Sequence, residues 1–206
     1  MREDIYNVLK SRIVNLEYKP NDCLTETAIA REFEVSRTPI REIFIHLACE
    51  NLVTISPGNS IRIPDINIQG LQELISYRII LEKGAARLIG MNANEDDLAA
   101  LYSLRKVIDR VEVEGSVDDL INCDTQFHQI LRKATHNGLL DKNLESVHLQ
   151  FTRIQKLIEH KPDRIIFHLD TIIESIRKKD LERIENCLVD HVYNFVGVIK
   201  RNFELL

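Results

Sequence analysis

The chain lacks any long hydrophobic run: nothing in its 206 residues approaches the roughly 20 apolar residues of a membrane-spanning helix. It opens Met1-Arg2-Glu3-Asp4, which does not begin a signal peptide, so secretion is not expected. Cys23, Cys49, Cys123 and Cys187 are scattered, with no CxxC pair, and reduced, mostly buried thiols are expected of them. A basic excess is missing too. The formal net charge is −5, and residues 1–66 hold eight Lys+Arg against ten Asp+Glu. That balance excludes a protein that grips nucleic acid by bulk charge alone. There is no internal repeat and no low-complexity segment. What remains, 44% hydrophobic and 29% charged, describes a soluble globular chain long enough for two modest domains, expected in the cytoplasm with no membrane partner.

The N-terminal third reads as three helices and a hairpin. Ile5, Val8, Leu9, Ile13 and Leu16 recur at spacings of three and four, predicting an amphipathic helix from Glu3 to Leu16. Lys19-Pro20-Asn21-Asp22 supplies a turn. Thr25 caps a short second helix, Glu26 to Phe33, and Glu34-Val35 connects it tightly to a third, from about Arg37 to Asn51. Val53-Thr54-Ile55 and Ile61-Arg62-Ile63 flank Pro57-Gly58-Asn59 as a small hairpin does. Helices joined so closely, followed by a hairpin, predict a winged helix-turn-helix over residues 1–66.

The third helix carries the chemistry. In "EVSRTPIREI", Ser36 or Thr38 can cap the helix and Pro39 loses nothing in its first turn. Arg37 and Arg41 lie four apart, away from the inner stripe of Ile40, Ile43, Phe44 and Leu47. In the major groove, such arginines can pair bidentately with guanine or grip a phosphate. Ser36 and Thr38 can bond phosphate oxygens, and Gly58 lets the wing approach the minor groove. The plain alternative is a solvated arginine pair beside Glu42.

The run "LTETAIAREFEVSRTPIREIFIHLACENLV" resembles the DNA-binding domain of GntR-type bacterial transcription regulators, with "VSRTPIRE" matching their recognition helix. The resemblance implies that Arg37 and Arg41 contact an operator in double-stranded DNA, supported by Ser36, Thr38 and Gly58. Asn21 and Asn51 stand where the family usually has glycine, and asparagine tolerates the left-handed conformation this requires. Thr27 occupies a position where some members carry a further arginine, and the wing lacks the usual arginine before its glycine.

Pro64-Asp65-Ile66-Asn67 marks the boundary, and residues 67–206 read as an all-α bundle of about six helices. Asn94 and Asp180 are expected N-caps; Gly115-Ser116 and Asn137-Gly138 are breaks. The fold class is therefore mostly α, a winged helix-turn-helix followed by a helical bundle. Within the bundle, "CDTQFHQIL" sets Asp124 and His128 four apart on one helix, while His168 and His191 lie among apolar residues near the C-terminus. A carboxylate and imidazoles can share one divalent cation when separate helices converge, and such a set suits zinc or nickel. The alternative is four packed core residues. His46, His136, His148 and His160 have no comparable apolar setting and receive no role.

The segments "ELISYRIILEKGAARL", "DTQFHQILRKATHNGLL" and "FHLDTIIESIRKKDLERIENCLVDH" resemble the FadR-type C-terminal domain, FCD, of a large GntR subfamily. In metal-binding members the ligands occupy positions equivalent to Asp124, His128, His168 and His191. The resemblance thus implies one divalent transition metal per chain. Phe167 replaces a glutamate common there. It further implies a small carboxylate-containing effector, with Arg78 of "YRIILE" as a contact or, alternatively, the i,i+4 partner of Glu82. The expected function is a homodimeric, ligand-responsive regulator of a short palindrome. A regulator whose effector is the cation itself is the alternative. A metalloenzyme docked by its winged helix is a third class, for which no general base presents itself.

Overall fold

A computed structural model describes residues 2–57, 60–158 and 165–203, with the backbone alone at 165–168 and 200–203. In chain order the elements are α1 (Arg2–Val14), β1 (Cys23–Leu24), α2 (Glu26–Glu32), α3 (Arg37–Cys49), β2 (Thr54–Ser56) and β3 (Ser60–Arg62). There follow α4 (Ile68–Asn92), α5 (Glu95–Glu114), α6 (Val117–Ala134), α7 (Gly138–Leu157), α8 (Ile165–Lys178) and α9 (Leu181–Phe203). The chain divides into two compact units: residues 1–67 with Leu149–Leu157, and residues 68–148 with 158–206.

The first unit is a winged helix-turn-helix. α1 buries Ile5, Leu9 and Ile13, three of the expected stripe. It stops at Val14 because Leu16 takes φ 61°, a left-handed conformation no α-helix continues through. Thr25 caps α2 by accepting from Ala28 N at 3.1 Å. Glu34, at φ 54°, turns the chain sharply into α3, whose Ile40, Ile43, Phe44 and Leu47 fill the core. Ser36 occupies the N-cap position but makes no side-chain cap bond. Asn21 and Asn51 adopt φ 73° and 58°, the conformation for which asparagine substitutes tolerably for glycine.

The wing has three strands rather than two. β3 pairs antiparallel with both β2 and β1, which sets Ile61 opposite Ile55 and Leu24. A two-residue strand is too short to produce an alternation pattern, so β1 left no periodic signal. The end of α7 belongs to this unit as well. Leu149 packs against its core. Arg153, 1% exposed, donates to Gln150 Oε1 at 2.9 Å and to the Pro64 carbonyl at 3.2 Å. Gln150 in turn donates to the Asn51 carbonyl at 2.7 Å.

The second unit is built from helices, six of which contribute to it among the described residues. Capping boxes start α5 at Asn94 and α6 at Ser116. Asp180 Oδ1 accepts from Arg183 N at 3.0 Å at the start of α9. Phe127, Leu101, Ile108, Leu169, Ile172 and Ile184 are among the fully enclosed residues of its core. A Cβ at Gly90 of α4 would collide with Leu181 Cδ2 and stand 3.2 Å from Ile184 Cδ1 of α9, so a side chain there would require Leu181 to shift. The cysteines divide evenly: Cys123 and Cys187 are buried, whereas Cys23 and Cys49 are exposed, contrary to the expectation of mostly buried thiols. Both exposed ones sit on the small first unit, at a strand edge and a helix end. Burial pushes the Cys187 thiol up to about 12, far from a reactive thiolate.

Candidate functional site

Two side-chain constellations stand out, one in each unit. In the first, Arg37 and Arg41 leave the opening turns of α3 with side chains 61% and 53% exposed. Ser36 and Thr38 beside them are exposed too. Glu42, the acid expected near these arginines, pairs instead with Arg2 at 2.5 Å. Their partner is Glu26 of α2. Arg37 Nη2 lies 3.0 Å from Glu26 Oε2 and Arg41 Nε 2.9 Å from Glu26 Oε1. Arg62 of β3 bonds the Asn21 carbonyl at 3.0 Å. Gly58 lies outside the described residues.

In the second unit, α6 and α9 bring Asp124, His128 and His191 together. The two Nε2 atoms of His128 and His191 are 3.1 Å apart, and Asp124 Oδ1 lies 3.3 Å from His191 Nε2 and 3.8 Å from His128 Nε2. Ligands about 2.1 Å from one cation would stand about 3.0 Å apart at right angles and about 3.4 Å apart at a tetrahedral angle. Two of the three separations fall in that range, and the Asp124–His128 distance of 3.8 Å exceeds it. The donor set of one carboxylate and imidazole nitrogens suits a borderline transition metal. Asp124 and His128 are buried, and His191 is nearly so. Burial holds His128 well below the ordinary histidine range, with His148 and Arg78 adding to the effect and Asp124 opposing it. A neutral imidazole is the form a metal requires. His168 falls on α8, but its side chain, like that of Phe167, lies outside the described residues.

Arg78 of α4 makes the i,i+4 pair with Glu82 that was the alternative expected of it, and a contact to His128 that was not expected. Its Nε lies 3.3 Å from Glu82 Oε1, and its Nη2 lies 2.9 Å from His128 Nε2. Sequence reasoning passed over His148. Its Nε2 lies 3.0 Å from Glu82 Oε1, and its ring centroid stands 4.3 Å from that of His128. The signal was available: Val147 and Phe151, beside and one turn beyond it on α7, are buried. Burial also lowers His148, against the pull of Glu82. Glu82 itself is held well below the usual carboxylate range: burial opposes its charge, but His148, Arg78 and His128 more than compensate.

Glu82, His128 and His148 could form a second cation-binding group by distance. Arg78, 3% exposed, already supplies a positive charge 3.3 Å from Glu82, and its contact with His128 bears on both groups alike, so the preference for Asp124, His128 and His191 comes from the FCD resemblance. The buried cluster thus has a metal-type pole at Asp124, His128 and His191 and a positive pole at Arg78.

A winged helix with two arginines opening its third helix, followed by an all-helical unit, defines a class of bacterial DNA-binding transcription regulator. Residues 1–63 match the family of bacterial regulatory proteins called gntR, and residues 73–194 match the FCD domain. The chain belongs to the GntR family, with an FCD domain as its C-terminal part. It is 30% identical over 190 residues to the uncharacterized HTH-type transcriptional regulator YdhC of Bacillus subtilis, covering 90% of this chain and 85% of that one. It is 26% identical over 199 residues to the HTH-type transcriptional repressor RspR of Escherichia coli, covering 93% and 86%. The solved structure of E. coli McbR/YncC superposes with a TM-score of 0.80 at 20% identity, over 98% of each chain, which establishes likeness of fold. Among the described residues no helix is long and apolar enough to cross a membrane.

Proposed function

We propose that this GntR-family regulator binds a short palindromic operator as a homodimer in the cytoplasm. In this reading its operator affinity is set by a small organic acid held in the second unit. Arg37 and Arg41 face base edges or phosphates, flanked by Ser36, Thr38 and the wing at Gly58. A divalent transition metal, zinc or nickel, is held by Asp124, His128 and His191, with His168 as the fourth ligand suggested by the FCD resemblance. The observation that carries the reading is the convergence of three metal-type donors within reach of a buried arginine. A bound metal would offer open positions to a carboxylate oxygen, and Arg78 would hold the other oxygen through a charge-assisted pair. An anion stabilised by both poles would bias the regulator by a coupling of about 1–3 kcal/mol, typical of such systems.

The test measures binding to a duplex enriched by the protein from a randomised library. Metal-loaded and chelator-stripped protein are compared, each with and without a panel of di- and tricarboxylic acids. The proposal expects an acid that changes affinity at least fivefold only when metal is present. A response to metal with no acid effect would instead support the cation itself as effector. Absence of metal binding after supplementation would return the three residues to a packed polar core.

A further inference from the structure

The two arginines that open α3 are restrained, and by one residue. Glu26 stands in the first turn of α2, 7% exposed, and offers one carboxylate oxygen to each: Oε2 to Arg37 Nη2 at 3.0 Å, Oε1 to Arg41 Nε at 2.9 Å. The anchor is buried while both arginine side chains are more than half exposed. The arrangement thus has a fixed root and two outward-reaching guanidinium groups. Arg41 is gripped through Nε, so this contact does not engage its two Nη groups, the pair able to bond guanine O6 and N7 together. The Arg41 bond holds the Glu26 carboxyl below its ordinary value, with burial opposing it and the Arg37 bond adding to it.

An acid paired with DNA-reading arginines is otherwise a liability, because its charge opposes phosphates and lowers affinity for every sequence alike. This cost is sensible only if Glu26 returns something sequence-dependent. An unrestrained arginine must lose its side-chain freedom on docking, whereas one already held in its bound orientation loses less. We propose that Glu26 is a positioning residue for operator recognition, holding Arg37 and Arg41 in the orientation that reads the groove while suppressing indiscriminate phosphate binding. This rests on the DNA-reading role proposed above for the two arginines.

The roles separate in a Glu26→Gln variant, which keeps the shape of the side chain, removes its charge and presents an amide N–H₂ to one arginine. Binding is measured for the full chain against the library-enriched duplex and against poly(dI-dC) at one salt concentration. Glu26→Asp, Arg37→Ala and Arg41→Ala run alongside, and melting temperatures are recorded for all. The proposal expects Glu26→Gln to weaken the enriched duplex at least tenfold while poly(dI-dC) binding is unchanged or tighter, with Glu26→Asp intermediate. A merely structural role would lower both affinities together with the melting temperature, and that result overturns the proposal. Parent-like discrimination by Glu26→Gln overturns it equally. If Arg37→Ala and Arg41→Ala themselves discriminate like the parent, the reading of these arginines fails first and takes this inference with it.

Discussion

Arg78 Nη2 stands 2.9 Å from His128 Nε2, the same nitrogen that lies 3.1 Å from His191 Nε2. A guanidinium donates and never accepts, so it seeks the lone pair that a metal would use. A cation bound as proposed above would therefore compete with Arg78 for one atom, and its loading would displace the arginine from that nitrogen.

Arg78→Met alone leaves Glu82 buried with its charge partner gone, and about 3–5 kcal/mol of stability is expected to be lost. Replacing both, Arg78→Met with Glu82→Met, should restore most of it, because the uncompensated buried charge disappears. Chemical denaturation of the single and double variants measures the difference. The double variant should still bind metal, tighter by roughly tenfold, about 1.4 kcal/mol, because a competing positive charge has gone. It should no longer answer to organic acids.

Elemental analysis of the metal-supplemented protein should find close to one equivalent of zinc or nickel per chain. Asp124→Asn, His128→Ala and His191→Ala are each expected to lose most of it. His148→Ala should retain it, because His148 Nε2 is engaged with Glu82. Chelation should lower the melting temperature of the parent, since a metal held by the folded state alone ties α6 to α9.

Asp141 provides a pH test away from the metal ligands. It pairs with Arg132 and lies 2.6 Å from Lys133 through Oδ2. Burial works against its charge, yet Lys133 and Arg132 pull its pKa below the ordinary aspartate value. A lowered folded-state pKa contributes stability that is fully present above the unfolded value, near pH 4, and is lost as pH falls through the folded one. Asp141→Asn should therefore cost about 1 kcal/mol at pH 7 and distinctly less near pH 2. Urea denaturation at the two pH values decides. An equal cost at both would mean the charge is not what matters.

Arg153→Ala removes the donor to the Pro64 carbonyl and the link to Gln150. A loss of about 1.5–3 kcal/mol is expected for hydrogen bonds from a charged donor. Hydrogen exchange should report it as faster exchange within residues 1–67, whereas α5 should keep the parent's protection.

Much of the fold was legible because helices announce themselves through three-and-four spacing and caps. Ile5, Leu9 and Ile13 on α1, Asn94 at the start of α5 and the left-handed asparagines at 21 and 51 are all local signals. The candidate site was half legible. Asp124 and His128 share a helical turn, and His191 lies among apolar neighbours, so periodicity could single them out. Glu26 could not be found that way, and His148 was passed over although Val147 and Phe151 flank it on α7. Their significance comes from partners 11, 15 and 66 residues distant, which no pattern within a helix records. The share of α7 that joins the first unit was missed for the same reason, and β1 because two residues carry no period.

That share of α7 bears on how such regulators can be recombined. The sequence boundary at Pro64–Asn67 invites joining one reading head to another sensor. Yet Leu149 and Arg153, coded some 85 residues downstream, complete the reading head's own interior. A chimera cut at that boundary would import a stranger's residues into its core and strand the Pro64 carbonyl. Successful exchange would need a three-piece graft in which Leu149–Leu157 travels with residues 1–67. In this chain the unit of inheritance is discontinuous, and the head is not a detachable bead on a string.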